Sequence, residues 1–380
     1  MENPTNTAMP ATGHNQQPND QVTFKRNPAR CFAGFAASLL LLFALPAFAA
    51  GPGSNSAYEV LPPIVRGNLA IYPVLAAHSS DASLFLTLDE GVRSGQVTVT
   101  EAGEERGLVR PGQPIPPRTG AEVNRLVLYN NSPHPLLLLA GEIVTGGKQD
   151  RVIGADRIVP PNAGPIDLSV FCVEPGRWVA SSSSFGSMGM QMAQPSVRSS
   201  AMAERNQAQV WANVRSSKAK VAATLSAPEA DAIGATTSYA KVFSSAPVSK
   251  AVAQYGAVND QSILRDLRAK GAVGVVVAVD GRVQWADIFA SSDLLAKYWT
   301  KLMHSYIAEA ITSPGKGDAP DRRDAEQFIH TLNGGREVVE TEADVFRRAD
   351  ITGEGYRVFE LTSLLPKTGF VVHVTKMLEQ

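Results

Sequence analysis

The chain has 380 residues, with 35 Lys and Arg against 36 Asp and Glu and a formal net charge of −1. A balance this close to neutral, with no basic stripe, excludes the electrostatic footprint of a nucleic-acid binder. With only two cysteines a disulfide-built scaffold is excluded as well, and the length suits one large domain or two ordinary ones.

The first 24 residues are polar, with little that could pack. Lys25, Arg26 and Arg30 then form a basic cluster ahead of an uncharged stretch from Cys31 to Ala50, greasiest from Leu39 to Leu45. Ala47-Phe48-Ala49 supplies a small-x-small site, with Pro46 just upstream to stop a helix. This layout predicts a signal peptide over residues 1–49, cleaved after Ala49, and a periplasmic or secreted soluble protein that meets a membrane only through that segment. An uncleaved anchor is the alternative, because an uncharged stretch of this length can just span a hydrocarbon core. Beyond the cleavage site only Cys172 remains, so no internal disulfide can form. Its strand-like surroundings predict a packing role.

Residues 57–179 read as a β-rich domain. Short apolar runs at Leu69–Leu75, Gln96–Thr100, Arg125–Tyr129, Leu136–Val144 and Ile166–Glu174 are broken by Gly, Pro and Asn, which predicts a compact sandwich or barrel. One helix is expected at 88–95. Residues 180–203 turn to Ser, Met, Gly and Gln and are read as a flexible loop or linker.

Residues 204–380 read as an α+β domain, standing apart from the first or packed with it as one unit. A helix at 204–221 places Val210, Trp211, Val214 and Val221 near one face. A short helix at 262–270 precedes strands Val273–Val279 and Arg282–Phe289, joined by Asp280-Gly281, a dipeptide suited to the positive φ of a tight hairpin. Ser291-Ser292-Asp293 then caps a helix with a broad apolar face running from Leu294 to Ile307. A helix at 322–332 and strands at 356–361 and 370–375 complete the chain. The fold class expected is α+β, a β-rich amino-terminal sandwich or barrel packed with a carboxy-terminal hairpin and helix unit.

The densest polar cluster in an apolar setting follows Leu136. A strand delivers Glu142, two glycines permit a sharp turn, and Lys148, Gln149, Asp150 and Arg151 emerge together. A carboxylate beside cations can bind an anionic ligand or poise an acid or base. An ordinary hairpin tip with solvated charges is the competing reading. Asn162 and Arg177 are the further candidates for a pocket around this motif. His78, His134, His304, His330 and His373 are scattered singly without metal-ligand spacing, so no metal is expected. Neither a phosphate-cradling glycine loop nor a nucleophile elbow is present, so no cofactor is expected and no catalytic residue is assigned. Asp287, between Trp285 and Phe289, is read as lying on its strand's polar face.

Gly141-Glu-Ile-Val-Thr-Gly-Gly-Lys-Gln-Asp-Arg151, with Ile158-Val-Pro-Pro-Asn162, Leu168-Ser-Val-Phe-Cys-Val-Glu174 and Arg177-Trp178, resembles the ARG and rhodanese-phosphatase-associated protein domain family. Gln209-Val-Trp211, the 273–289 hairpin and the aromatic helix from Leu294 resemble it too. The family name implies at most a link to nucleotide or ADP-ribose metabolism, and it brings no catalytic residues. The expectation is therefore a binding or accessory module for a small anionic ligand. A hydrolase or transferase acting on a nucleotide-like substrate through Glu142 or Asp150 is the second reading, and a structural envelope protein the third.

Overall fold

A computed structural model describes residues 57–102, 125–177, 181–182, 184–255, 260–313, 315 and 317–379. The expected signal peptide and Trp178 lie outside the described residues. The first strands are β1 (Tyr58–Val60), β2 (Ile64–Arg66), β3 (Leu69–Ala76), β4 (Leu86–Thr87), β5 (Val97–Glu101) and β6 (Arg125–Asn130). They are followed by β7 (Leu136–Leu138), β8 (Glu142–Gly146), β9 (Arg151–Ile153), β10 (Arg157–Val159), β11 (Ala163–Cys172) and β12 (Phe185–Met192). The later part adds β13 (Gly274–Val279), β14 (Arg282–Phe289), β15 (Arg336–Glu342), β16 (Phe346–Thr352), β17 (Tyr356–Ser363) and β18 (Val371–Leu378). The helices are α1 (Leu88–Arg93), α2 (Pro195–Ser199), α3 (Gln207–Ala223), α4 (Ala227–Ala235) and α5 (Tyr239–Phe243), then α6 (Ala246–Gln254), α7 (Asp260–Ala269), α8 (Ser292–Ile311) and α9 (Arg322–His330). None of the described helices is long and apolar enough to cross a membrane.

Six strands close into a barrel in the order β11-β6-β5-β12-β8-β9, with β9 pairing back to β11. Closure removes the free edges that a short-stranded sheet would otherwise expose. Its interior is filled by Val97, Val99, Leu126, Leu128, Val144, Ile153, Leu168, Val170 and Phe185. The alternation of these residues along each strand is the period of two that a pleated strand imposes. β12 belongs to this barrel, so the 180–203 stretch is not a linker. Phe185–Met192 pairs with β8 and β5, and Pro195–Glu204 continues as α2 and a π-helical turn at Ser200–Glu204.

The expected strand 136–144 is also divided. Gly141 takes φ +96°, a conformation open to glycine and strained for other residues. The chain turns there, sending β7 to a three-stranded sheet, β10-β7-β4, and β8 to the barrel.

The second sheet runs β1-β3-β13-β14-β18-β17-β16-β15, with β2 also paired to β3. Asp280 and Gly281 both have positive φ at the β13–β14 turn, as the dipeptide predicts. Alternate residues serve opposite faces. Leu69, Ile71, Val275, Val277 and Phe289 pack under α8, while Ala70, Tyr72, Val74, Val276 and Ile288 meet Ala325 and Ile329 of α9. β15 and β16 have no counterpart among the expected strands. β15 is charged, exposed and at the sheet's edge, where no hydrophobic alternation marks it.

Ser291 caps α8 by accepting from Leu294 N. Buried residues lie all around this helix, because it sits between the large sheet and β12. The described residues fall in one compact unit.

Candidate functional site

The Gly141–Arg151 motif folds into two separate polar networks. At the β8–β9 turn Gly147 takes φ +49°, and a Cβ there would lie 2.3 Å from the Phe185 ring, closer than real atoms approach. The turn holds Asp150 buried, accepting from Gly146 N at 3.2 Å and from Ser238 Oγ at 2.7 Å. Glu174 Oε2 accepts from Asp150 N and from Arg177 Nε at 2.7 Å. Arg177 also donates to Gly147 O at 2.9 Å. Gln149 donates to Glu174 O, and the fully buried Arg151 donates to Gln149 O at 2.7 Å, with Glu101 3.9 Å away. Burial raises the Asp150 pKa, against the pull of Ser238 and Arg177. Lys148 contributes its backbone N–H to Glu101. Beside this network Cys172 is buried, and burial pushes its thiol up to about 11, so it stays a packed thiol rather than a thiolate.

Glu142 points the other way, toward α8. It is fully buried and lies 2.5 Å from Lys301 Nζ, while its Oε2 accepts from Leu139 N. Lys301 is shared with Asp89 at 2.7 Å. Burial works against the ammonium, but the two carboxylates outweigh it and raise its pKa. Burial raises the Glu142 pKa; Lys301 pulls it down more than Asp89 pushes it up, without overcoming the burial.

Asn162 is exposed at φ +53° and donates its N–H to Ser132 O, so it is a turn residue remote from both networks. Of the expected set, Lys148, Gln149, Asp150, Arg151 and Arg177 therefore come together at one barrel end, and Glu142 and Asn162 do not join them. Asp150, Arg151 and Gln149 are largely enclosed and hold one another, which is neither the open pocket nor the solvated hairpin tip that the sequence offers as readings.

Asp287 requires a correction. It lies on the buried face of β14, fully enclosed. Its Oδ2 accepts from Arg198 at 3.0 Å, Trp285 Nε1 at 2.9 Å and Tyr306 OH at 2.5 Å. Its Oδ1 accepts from Arg198 at 3.1 Å and Thr375 at 2.9 Å, with His373 Nε2 3.3 Å away. His373 Nδ1 in turn sits 2.6 Å from Asp156. Burial alone would raise the Asp287 pKa, but Arg198 and His373 hold it well below the usual carboxylate range. Arg198 reaches this cluster past Gly141, where a Cβ would lie 2.5 Å from its Cγ. The guanidinium stacks 4.6 Å from the Trp285 ring.

On the far side of α2 the same segment borders a cleft of about 470 Å³ between α2, α3, α8 and β14, lined by Ser196, Ser199, Asn213, Ser217, Lys220, Arg282, Trp285 and Glu309 among others. Glu309 is buried, and its Oε2 accepts from Ser196 N and Oγ, both at 2.9 Å, and from Gln194 Nε2 at 3.1 Å. Among the described residues nothing donates to its Oε1. Ser199 and Ser217, largely buried residues, also line the cleft, and their hydroxyls are not among the buried polar atoms left without a partner. Lys220 and Arg282 place two cations on the same cleft.

The domain description "ARG and Rhodanese-Phosphatase-superfamily-associated Protein" (ARPP-1) matches residues 57–377. The chain belongs to this family. No curated protein and no solved structure shows a significant match. The ARPP-1 match spans both the barrel and the large sheet, so the two networks and all of the cleft but Leu378 and Glu379 lie within it. No group of three or more potential metal ligands occurs among the described residues.

The residues of this ARPP-1 cleft escape sequence reasoning because they come from Ser-rich and helical stretches without a motif. One signal was available: Asn213, Ser217 and Lys220 recur at i, i+4 and i+7, which puts three polar groups on one face of α3 beside its valine face.

Proposed function

We propose that this ARPP-1 protein is a ligand-binding module whose site is the serine-lined cleft. The ligand is a small polar molecule that brings hydroxyl or amine donors to Glu309 and an anionic group to Lys220 and Arg282. The carrying observation is the Glu309 carboxylate. One oxygen is fixed by three donors and the other receives none among the described residues, in a cavity that Ser199 and Ser217 also line. Such a carboxylate is pre-oriented, so binding costs little side-chain entropy. The cavity volume falls within the range of small-molecule sites.

This reading moves the anion-binding expectation away from the Gly141–Arg151 motif, whose charges hold the barrel and α8 together. A hydrolase or transferase using Glu142 is disfavoured by the enclosure of that carboxylate against Lys301. We also propose export, supported by the basic, apolar and small-x-small order of residues 25–49. The intact mass of the protein recovered from cells tests it, since a chain beginning at Met1 would contradict cleavage.

The binding reading is tested by thermal denaturation with sugar phosphates, polyols and ADP-ribose. A ligand that prefers the native state raises the melting temperature. The expected result is a shift with one phosphorylated polyol class that Glu309→Gln and Lys220→Ala each reduce while the unliganded melting temperature of Lys220→Ala stays put. No shift with any of them, or an equal shift in Lys220→Ala, would sink the proposal.

A further inference from the structure

A second concave site lies on a different face, between the barrel strands β9 to β11 and the outer strands of the large sheet. It is a groove of about 430 Å³ lined by Arg125, Arg157, Arg205 and Arg348, with Asp167 and Glu340. Four guanidiniums thus meet two carboxylates, and both carboxylates are more than half exposed while the Arg348 side chain is 13% exposed. Arg348 is the deep charge of the four, and the two carboxylates lie at the rim.

Three of the arginines are partly engaged. Arg125 pairs with Asp167 at 2.6 Å. Arg157 donates to Glu342 at 2.6 Å and to Asp167 O at 3.3 Å, yet its buried Nε has no hydrogen-bond partner. Arg348 donates to Asp156 O at 3.0 Å and to Glu340. Arg205 is different. It has no hydrogen bond or ion pair among the described residues, and it is held at φ +49° at the end of the π-helical turn, a conformation that strains any residue with a Cβ. An arginine ladder that served only to pin β15 to the sheet would have no use for this fourth cation.

Like charges gathered in one concave groove repel one another. Burial lowers the Arg348 pKa; Glu340 and Asp156 pull it back up, while Arg205 and Arg157 push it down. An oxyanion relieves that repulsion, and a planar guanidinium matches its geometry with paired donors. From this we infer that the groove is an anion site, separate from the serine-lined cleft, that takes the phosphate group of a small phosphorylated molecule. Arg205 and Arg348 clasp it, and Glu340 competes with it for Arg348.

The test uses the full chain and inorganic phosphate, titrated calorimetrically at low ionic strength. Arg205→Asn is the principal variant, because asparagine tolerates the left-handed backbone and Arg205 is exposed, so the fold survives the change. Saturable binding is expected, weakened about tenfold or more in Arg205→Asn, as the loss of one charge-assisted hydrogen bond implies. Glu340→Gln is expected to bind several-fold tighter, and Lys270→Ala, an exposed position outside both sites, to bind as the parent does. Failure to saturate at tens of millimolar, or equal affinity in Arg205→Asn, overturns the assignment. A phosphate signal lost in Lys220→Ala and kept in Arg205→Asn also overturns it, placing the ion in the serine-lined cleft and leaving the proposed function standing.

Discussion

At the scale of single residues, the motif that dominates the sequence is a folding device more than a ligand cradle. Gly141 is required twice, once for its positive φ and once because Arg198 lies where a Cβ would be. Gly141→Ala is therefore expected to destabilise by about 2 kcal/mol or more, which urea denaturation would read as a lower midpoint. Lys301→Met should cost about 3 kcal/mol near neutral pH, because it leaves Glu142 and Asp89 facing each other in a buried site. That cost should shrink toward pH 5, since Glu142, whose pKa burial already raises, can then shed its charge by taking up a proton. A pH-independent loss would show that Glu142 is not the group left unpaired. The sequence made Glu142 and Arg151 visible because charges in an apolar run are conspicuous. It could not reveal that the partner of one is 159 residues away on α8, since the sequence holds no record of which distant residues become neighbours.

At the scale of elements, amphipathic segments were legible and the segment that matters most was not. α8, the β13–β14 hairpin and the valine face of α3 all carry their period in the sequence. Residues 185–204 carry none, because β12 gains its stability from strands more than 35 residues earlier in the chain and α2 from one buried arginine. That segment nevertheless supplies Ser196 and Ser199 to the cleft while turning Arg198 inward. The opposite face of the cleft, on α3, permits a separation of binding from stability. Ser217 lines the cleft and its hydroxyl has no hydrogen bond to the described residues, so deleting that hydroxyl removes a cleft contact rather than a bond within the fold. Ser217→Ala is expected to leave the melting temperature unchanged or slightly higher and to reduce the ligand-induced shift. A clear loss of stability would mean that the hydroxyl is satisfied within the fold and is not reserved for a ligand.

At the scale of the whole molecule, barrel and sheet are held together through one buried ionic cluster, and its protonation should be visible in global stability. His373 bridges Asp156, in the turn between β9 and β10, and Asp287 on β14. Burial opposes its charge, but Asp156 and then Asp287 overcome that and raise its pKa from 6.5 to about 9. A histidine raised in this way stabilises the fold fully below its unfolded value and loses that contribution as pH climbs through the folded one. The window is thus pH 6.5 to 9, and the whole contribution is about 3 kcal/mol at roughly 1.4 kcal/mol per unit. Lys376 acts in the opposite sense at the upper end, because burial lowers its pKa to about 8 and its penalty is relieved as pH rises beyond that. The fall in unfolding free energy should therefore be steepest between pH 6.5 and 8. His373→Gln, which keeps a donor for Asp156 but cannot carry charge, should be less stable than the parent at pH 6 and flat across the same interval. Parallel pH dependences in the two proteins would mean that the imidazole is neutral throughout and that hydrogen bonding alone joins the barrel to the sheet.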